Sequence, residues 1–247
     1  MRGKVYFIGA GPGDPELLTL KAKGVIEKAD VIIYADSLVN PRICSFARED
    51  AEIRGSSTLP LEEIIGIVEK AVKEGKIVAR LQSGDPSIYG ALWEQMRALE
   101  ERGIDYEIIP GVSSLSAACA ALRVELTVPG VSQTVILTRK GGRAPVPEKE
   151  DLKGLAAHRA SMAIFLSISR VEEIAGELVA GGYPPETPAA VVYRASWEDE
   201  KVIRGTLGDI ASKVKECGIN RQALILVGEA LFPRDFPPSR VYGKAVR

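Results

Sequence analysis

Three glycine-bearing segments and one basic loop carry the strongest chemical character in this 247-residue chain. The segments are GAGPGDP (residues 9–15), QSGDPSIYG (82–90) and IPGVSS (109–114), and each follows an apolar run. Glycine at the end of a strand lets backbone approach a ligand closely and accepts positive φ. In an open parallel sheet, ligands bind outside the carboxyl ends of the strands. Any one segment reads equally as a plain turn; three on one sheet edge read as a binding cleft. Asp85 follows Gly84, where a carboxylate can accept from ligand hydroxyls, attract a cation, or cap a helix starting near Ser87. Ser113 and Ser114 read either as N-caps or as donors to a ligand. The basic loop lies in SQTVILTRKGGRAPVP (132–147) and holds Arg139, Lys140 and Arg143 with two glycines and two prolines. A charge run is often a solvated face, but arginines on a stiffened loop suit fork-like binding of carboxylates.

The same residues exclude several chemistries. A GxGxxG fingerprint starting at Gly9 would need glycine where Asp14 stands. A carboxylate there repels a pyrophosphate at a helix N-terminus. The pattern GxxxxGK[ST] is absent. The single histidine, His158, sits in the stretch LAAHRAS and reads as a solvated residue. A Ser-His-Asp triad or a multi-histidine metal site therefore has no material, and no metal is expected. Cys44, Cys119 and Cys217 are odd in number and far apart, which suggests neither a disulfide framework nor a zinc site. The chemistry must need little acid–base help from imidazole.

The elements that position these residues follow from hydrophobic patterning. Residues 4–10, 30–35, 51–55, 77–81 and 104–109 read as strands, with helical spacing over 15–29, 60–75 and 88–103 between them. Strands alternating with helices imply a parallel sheet covered on both faces. After a helix of small residues at 112–124, the segments SQTVILT, ASMAIFLS, TPAAVVYR, EKVIRGT and QALILVG read as five more strands. Helices fit 171–180 and 207–217, and the short WED turn makes a hairpin of the third and fourth strands. The expectation is α/β with two domains, 1–112 and 113–240. The first is a parallel five-stranded sheet with helices on both faces; the second is a mixed five-stranded sheet with helices.

Composition agrees with a soluble globular chain. Apolar residues make up 46%, enough for a sizeable core. Lys plus Arg total 32 against 33 Asp plus Glu, a net charge of −1 that argues against a global field for nucleic acid or anionic membrane. The first apolar stretch runs into a glycine turn rather than a cleavage site, and no segment approaches the ~20 apolar residues of a membrane helix. A cytoplasmic protein is expected.

Taken together, VYFIGAGPGDPELLTLKA, YADSLV, LQSGDPSIYG and PGVSS, in this order and spacing, resemble the tetrapyrrole methylase family, the class III S-adenosylmethionine-dependent methyltransferases. The resemblance runs over about residues 5–232. Within the family, YADSLVNP, ELTVPGVSQTVILTR and GGRAPVP are similar to members that methylate C11 of a corrin-ring precursor, with or without cobalt, in cobalamin biosynthesis. The resemblance implies S-adenosyl-L-methionine as methyl donor, with S-adenosyl-L-homocysteine as product, held in a cleft between two domains. It implies a small-molecule tetrapyrrole substrate, a homodimer, and neither nucleic acid nor membrane as partner.

By matching motifs, the implied cofactor residues are Pro12, Ser83, Gly84, Asp85, Ile88, Ser113 and Ser114, then Leu166, Ala195, Thr206 and Leu207. Many relatives have GGD where this chain has SGD, and methionine in place of Leu166. Arg139, Arg143 and Arg194 are the implied partners of the substrate's carboxylates. Asp36, in the loop after the second strand, matches an acidic position and is the catalytic candidate, either removing a proton or stabilising positive charge in the macrocycle. Methylation of uroporphyrinogen-III, or of another ring position, stays open inside the family. A non-catalytic tetrapyrrole carrier would not need the whole set of loops. A sulfonium methyl is already electrophilic, so alignment and water exclusion matter more than acid–base groups, which suits a chain with one histidine.

Overall fold

The computed structural model describes residues 3–142, 144–233 and 236–238. The chain divides into two compact units, Met1–Ala117 and Ala118–Arg247. The first contains strands β1 (Lys4–Gly9), β2 (Val31–Tyr34), β3 (Glu52–Gly55), β4 (Ile77–Gln82) and β5 (Tyr106–Ile109), with helices α1 (Leu20–Ile26), α2 (Leu61–Lys73) and α3 (Leu92–Glu100). Helix α4 (Ser114–Leu122) starts in this unit and runs past the division.

All pairings in the first sheet are parallel, in the order β3-β2-β4-β1-β5. Phe7, Ile8, Ile32, Ile33 and Leu81 are fully buried, as expected of strands covered on both faces. Side chains of successive residues point to opposite faces, so two apolar clusters form. Phe7, Ile33, Ile65 and Leu99 belong to one, and Ile8, Ile26, Ile32 and Leu81 to the other. Thr19 caps α1 by accepting from the Ala22 amide at 3.1 Å. Two residues past α2, Gly75 takes φ +77, the left-handed turn that stops the helix before β4.

The second unit contains β6 (Val135–Arg139), α5 (Leu152–Ala156), β7 (Ser161–Phe165), α6 (Val171–Ala180), β8 (Pro188–Tyr193), β9 (Lys201–Thr206), α7 (Ile210–Glu216) and β10 (Ala223–Val227). Its sheet order is β6-β7-β10-β8-β9. Strands β6 and β7 are parallel; the other pairs are antiparallel, and β8 and β9 form the expected hairpin. Met162, Ile164, Leu178 and Val191 anchor its core.

Three helix expectations change. Residues 88–103 have helical spacing throughout, yet α3 starts only at Leu92, because Tyr89 and Ala91 adopt φ +54 and +48. The segment 15–29 breaks into a 3₁₀ turn at Pro15–Leu17 and then α1. The helix expected over 207–217 begins at Ile210, because Asp209 turns back to accept from the Thr206 amide at 2.7 Å. Helix α5, capped by Asp151 on the Gly154 amide at 2.7 Å, is too short for its spacing to show in the sequence.

Candidate active site

The strand order explains why the three glycine segments belong together. Strands β4, β1 and β5 are neighbours, and their carboxyl ends are Gln82, Gly9 and Ile109. Gly11 and Gly84 form a two-bond antiparallel bridge, with N···O distances of 3.2 and 2.8 Å. The Ala10 amide donates to the Gln82 carbonyl at 2.8 Å. A Cβ on Gly9 would lie 2.5 Å from Gly111 Cα, and one on Gly111 only 2.3 Å from the Gly84 carbonyl oxygen. The three loops therefore meet backbone to backbone, with no room for side chains between them.

Asp85 ties this cradle together. One carboxylate oxygen accepts from the Ser87 amide at 2.9 Å and from the Ser87 hydroxyl; the other accepts from the Gly111 amide at 2.9 Å. Burial alone would push its carboxyl up, but the bonds from Ser87 and Gly111 outweigh it and hold the group below the usual carboxylate range. No helix starts at Ser87, so Asp85 staples two loops rather than capping a helix. Gly84 and Pro12 are buried, and Ser83, Ile88, Ser113 and Ser114 are partly exposed around them. The Ser113 hydroxyl oxygen accepts from the Leu115 amide at 3.2 Å.

The donor set decides what such a cradle holds. Residues 9–15, 82–90 and 109–114 contain Asp14 and Asp85 but no Lys, Arg or His. A phosphate-bearing ligand wants the opposite balance. A ligand with cationic centres and hydroxyls, such as S-adenosylmethionine, suits carboxylates and close-packed backbone, so the residues present fit that cofactor.

Asp36 follows β2 and is exposed. Its two carboxylate oxygens accept from the Ser57 amide at 2.8 Å and the Ser57 hydroxyl at 2.7 Å. Those bonds hold it below the ordinary carboxylate range. The lowered basicity makes Asp36 a poor proton acceptor and a dependable fixed anion. Of its two expected roles, the geometry favours stabilisation of positive charge.

In the second unit, β10 runs antiparallel to both β7 and β8, so β6, β7 and β8 all end at one edge. Arg139, Leu166 and the pair Arg194–Ala195 lie there. Leu166 has φ +54 and is 67% exposed, an unusual state for a leucine. Ala195 is buried. Thr206 and Leu207 are not brought to this edge. Register pairs Thr206 with Pro188, the first residue of β8, so both residues leave the sheet at the opposite end. Leu207 is a core residue of the unit. Motif matching placed them with the others because one-dimensional spacing does not record that β9 runs backwards.

The arginines are more engaged than the sequence suggests. The Arg139 guanidinium donates to the Ala144 and Pro145 carbonyls at 2.9 and 3.0 Å, closing its own loop. Arg194 pairs with Asp199 at 2.5 Å and stacks 3.8 Å above the Trp197 ring. Its Nε is buried with no hydrogen-bond partner among the described residues. Arg143 lies outside the described residues. Lys140 bonds Glu177 and lies 3.2 Å from Glu173, and Arg170 donates to the Gly141 carbonyl. Arg139, Lys140, Arg170 and Glu177 border a cavity of about 570 Å³ that also touches Pro147 and Leu152. Sequence reading missed Ser57, Glu173 and Glu177, because their contacts join distant segments. Among the described residues, no group of three His, Cys, Asp or Glu side chains is placed to hold a metal ion, and no helix is long and apolar enough to cross a membrane.

Comparison with known proteins agrees with this reading of the cradle. A model of the tetrapyrrole (corrin/porphyrin) methylases matches residues 4–211. The chain is 59% identical over 241 residues to the cobalt-precorrin-4 C(11)-methyltransferase of Methanocaldococcus jannaschii, covering 98% of this chain and 93% of that protein. It is similar to the crystal structure of a cobalamin biosynthetic cobalt precorrin-4 methyltransferase, with TM-score 0.91, 46% identity, and coverage of 93% of this chain and 96% of that one. The uroporphyrin-III C-methyltransferase of Thermus thermophilus, solved with S-adenosylhomocysteine, is 30% identical with TM-score 0.78 and 93% coverage of both chains. With the cradle's donor set and a family match over most of its length, this chain belongs to the tetrapyrrole (corrin/porphyrin) methylases.

Proposed function

We propose that this chain transfers a methyl group from S-adenosyl-L-methionine to C11 of cobalt-precorrin-4 or precorrin-4, a step in cobalamin biosynthesis. The observation that carries the reading is the cation-tolerant cradle of three glycine loops, in a chain 59% identical to a methyltransferase of that name. When bound, the donor supplies an electrophilic methyl on a sulfonium sulfur. The chain supplies binding and orientation. Pro12, Ser83, Gly84, Asp85, Ile88, Ser113 and Ser114 are the cofactor residues of the first unit. Leu166 and Ala195 are the candidates of the second; Thr206 and Leu207 are dropped.

Asp36, held ionised by Ser57, stabilises positive charge on the macrocycle. Arg143 and Arg194 are the remaining candidates for substrate carboxylates, while Arg139 shapes the loop. A cytoplasmic homodimer belongs to the same reading on family grounds. The deciding experiment incubates the protein with carbon-13-labelled methyl donor and each substrate, then locates the new methyl by NMR. Label at C11 is expected. Label at another ring position, or no binding of S-adenosylhomocysteine by calorimetry, would overturn the reading.

A further inference from the structure

Three buried polar side chains on β4 and α3 take no part in the site as described. Arg80, Gln82 and Gln95 are 7%, 5% and 6% exposed. Arg80 and Gln82 lie two residues apart on β4 and so share a face. The Arg80 Nε donates to Gln95 Oε1 at 3.0 Å, and Gln95 Nε2 donates to the Ala91 carbonyl at 3.1 Å. Gln82 Nε2 donates to the Gly90 carbonyl at 2.6 Å. Arg80 is anchored in the sheet through the Ile33 and Leu81 carbonyls at 3.4 and 3.3 Å.

The two glutamine amides meet on one short stretch. Gly90 and Ala91 close the loop that carries Ser83–Ile88, and both glutamine amides grip its backbone carbonyls. The loop needs the grip. Tyr89 and Ala91 sit at φ +54 and +48, conformations that each cost a non-glycine residue about 1 kcal/mol or more. A Cβ on Gly90 would lie 2.3 Å from the Pro86 carbonyl oxygen, so the turn is closed tightly on itself. Apolar side chains would pack behind β4 at less desolvation cost than an arginine and two amides. Burying polar groups there makes sense only if what they hold matters.

We propose that Arg80, Gln82 and Gln95 are positioning residues: a buried clamp that holds the strained Tyr89–Ala91 turn and thereby presets the Ser83–Ile88 segment for the methyl donor. The clamp lowers the ordering cost of binding, so it acts on affinity rather than on the transfer step. The proposal rests on the donor-binding reading given above.

Gln95→Glu separates holding from folding. A glutamate at 95 still accepts from Arg80 but no longer donates to the Ala91 carbonyl. The expected result is an affinity for S-adenosylhomocysteine about tenfold weaker by calorimetry, the scale of one lost buried hydrogen bond. Backbone amides of residues 87–92 should exchange hydrogen faster in the unliganded protein, and kcat at saturating donor should stay within about twofold. Gln82→Met, which removes only the bond to Gly90, should do the same and covers the case of a Gln95 variant that fails to fold. Unchanged affinity and exchange in a folded variant would overturn the clamp, as would a fall in kcat with affinity unchanged. If the wild-type protein bound no S-adenosylhomocysteine, the donor reading would fail, while the exchange measurement would still decide whether the clamp holds the turn.

Discussion

Asp36 and Ser57 show how much a single residue's role depends on its neighbour. The two Ser57 bonds lower the Asp36 carboxyl below the usual range, so the group is anionic at neutral pH and loses its charge only as pH falls through that lowered value. Asp36→Asn keeps a side chain that bonds Ser57 and removes the charge. Methyl transfer should fall about 10- to 100-fold, with S-adenosylhomocysteine affinity unchanged. Wild-type turnover should show no limb from this group between about pH 5 and 8, and Ser57→Ala should move its acid limb upward. A rate profile unmoved by Ser57→Ala would remove Asp36 from the reaction. The position of Asp36 was legible in the YADSLV motif. Its basicity was not, because Ser57 arrives from beyond β3, 21 residues away.

At the scale of elements, two glycines of the first unit make opposite predictions. Gly111 packs against the Gly9 and Gly84 backbones, so Gly111→Ala has nowhere to put its methyl group. It should cost about 1–3 kcal/mol or more in urea unfolding and weaken donor binding. Gly66 lies inside α2 with nothing within 4 Å of an added Cβ. Gly66→Ala should stabilise by about 0.5–1 kcal/mol and leave donor affinity alone. The strands were legible because runs such as VIIY and ALILV are short, apolar and bounded by turn residues. The start of α3 was not, because IYGALWEQM has helical spacing throughout. What interrupts the helix there is the positive φ of Tyr89 and Ala91, beside a bond from the distant Gln82 amide to the Gly90 carbonyl.

For the whole molecule, charge balance and sheet order carry different kinds of information. A net charge of −1 leaves recognition of an anionic substrate to local groups, and of these Arg139 is bonded within its own loop and Arg194 is paired with Asp199. Which strands neighbour one another is invisible in a single sequence. The order β4-β1-β5 brings residues 82, 9 and 109 side by side, while the reversed run of β9 takes Thr206 away from Ala195. Ligand linkage gives a test at this scale. S-adenosylhomocysteine at a hundredfold its Kd should add about 2.7 kcal/mol to the stability of the folded form. For a chain of this length that is a Tm rise of about 5–11 °C by calorimetry. No rise would mean the ligand does not select the fold.

Leu166 has a consequence for any lineage evolving under heat. An exposed leucine at positive φ is poorer for folding than glycine or asparagine would be at the same place. A library screened for thermal survival alone should therefore enrich Leu166→Gly, and its winners should pay in turnover. Persistence of a large apolar residue there, generation after generation, would record selection by catalysis acting against selection by temperature.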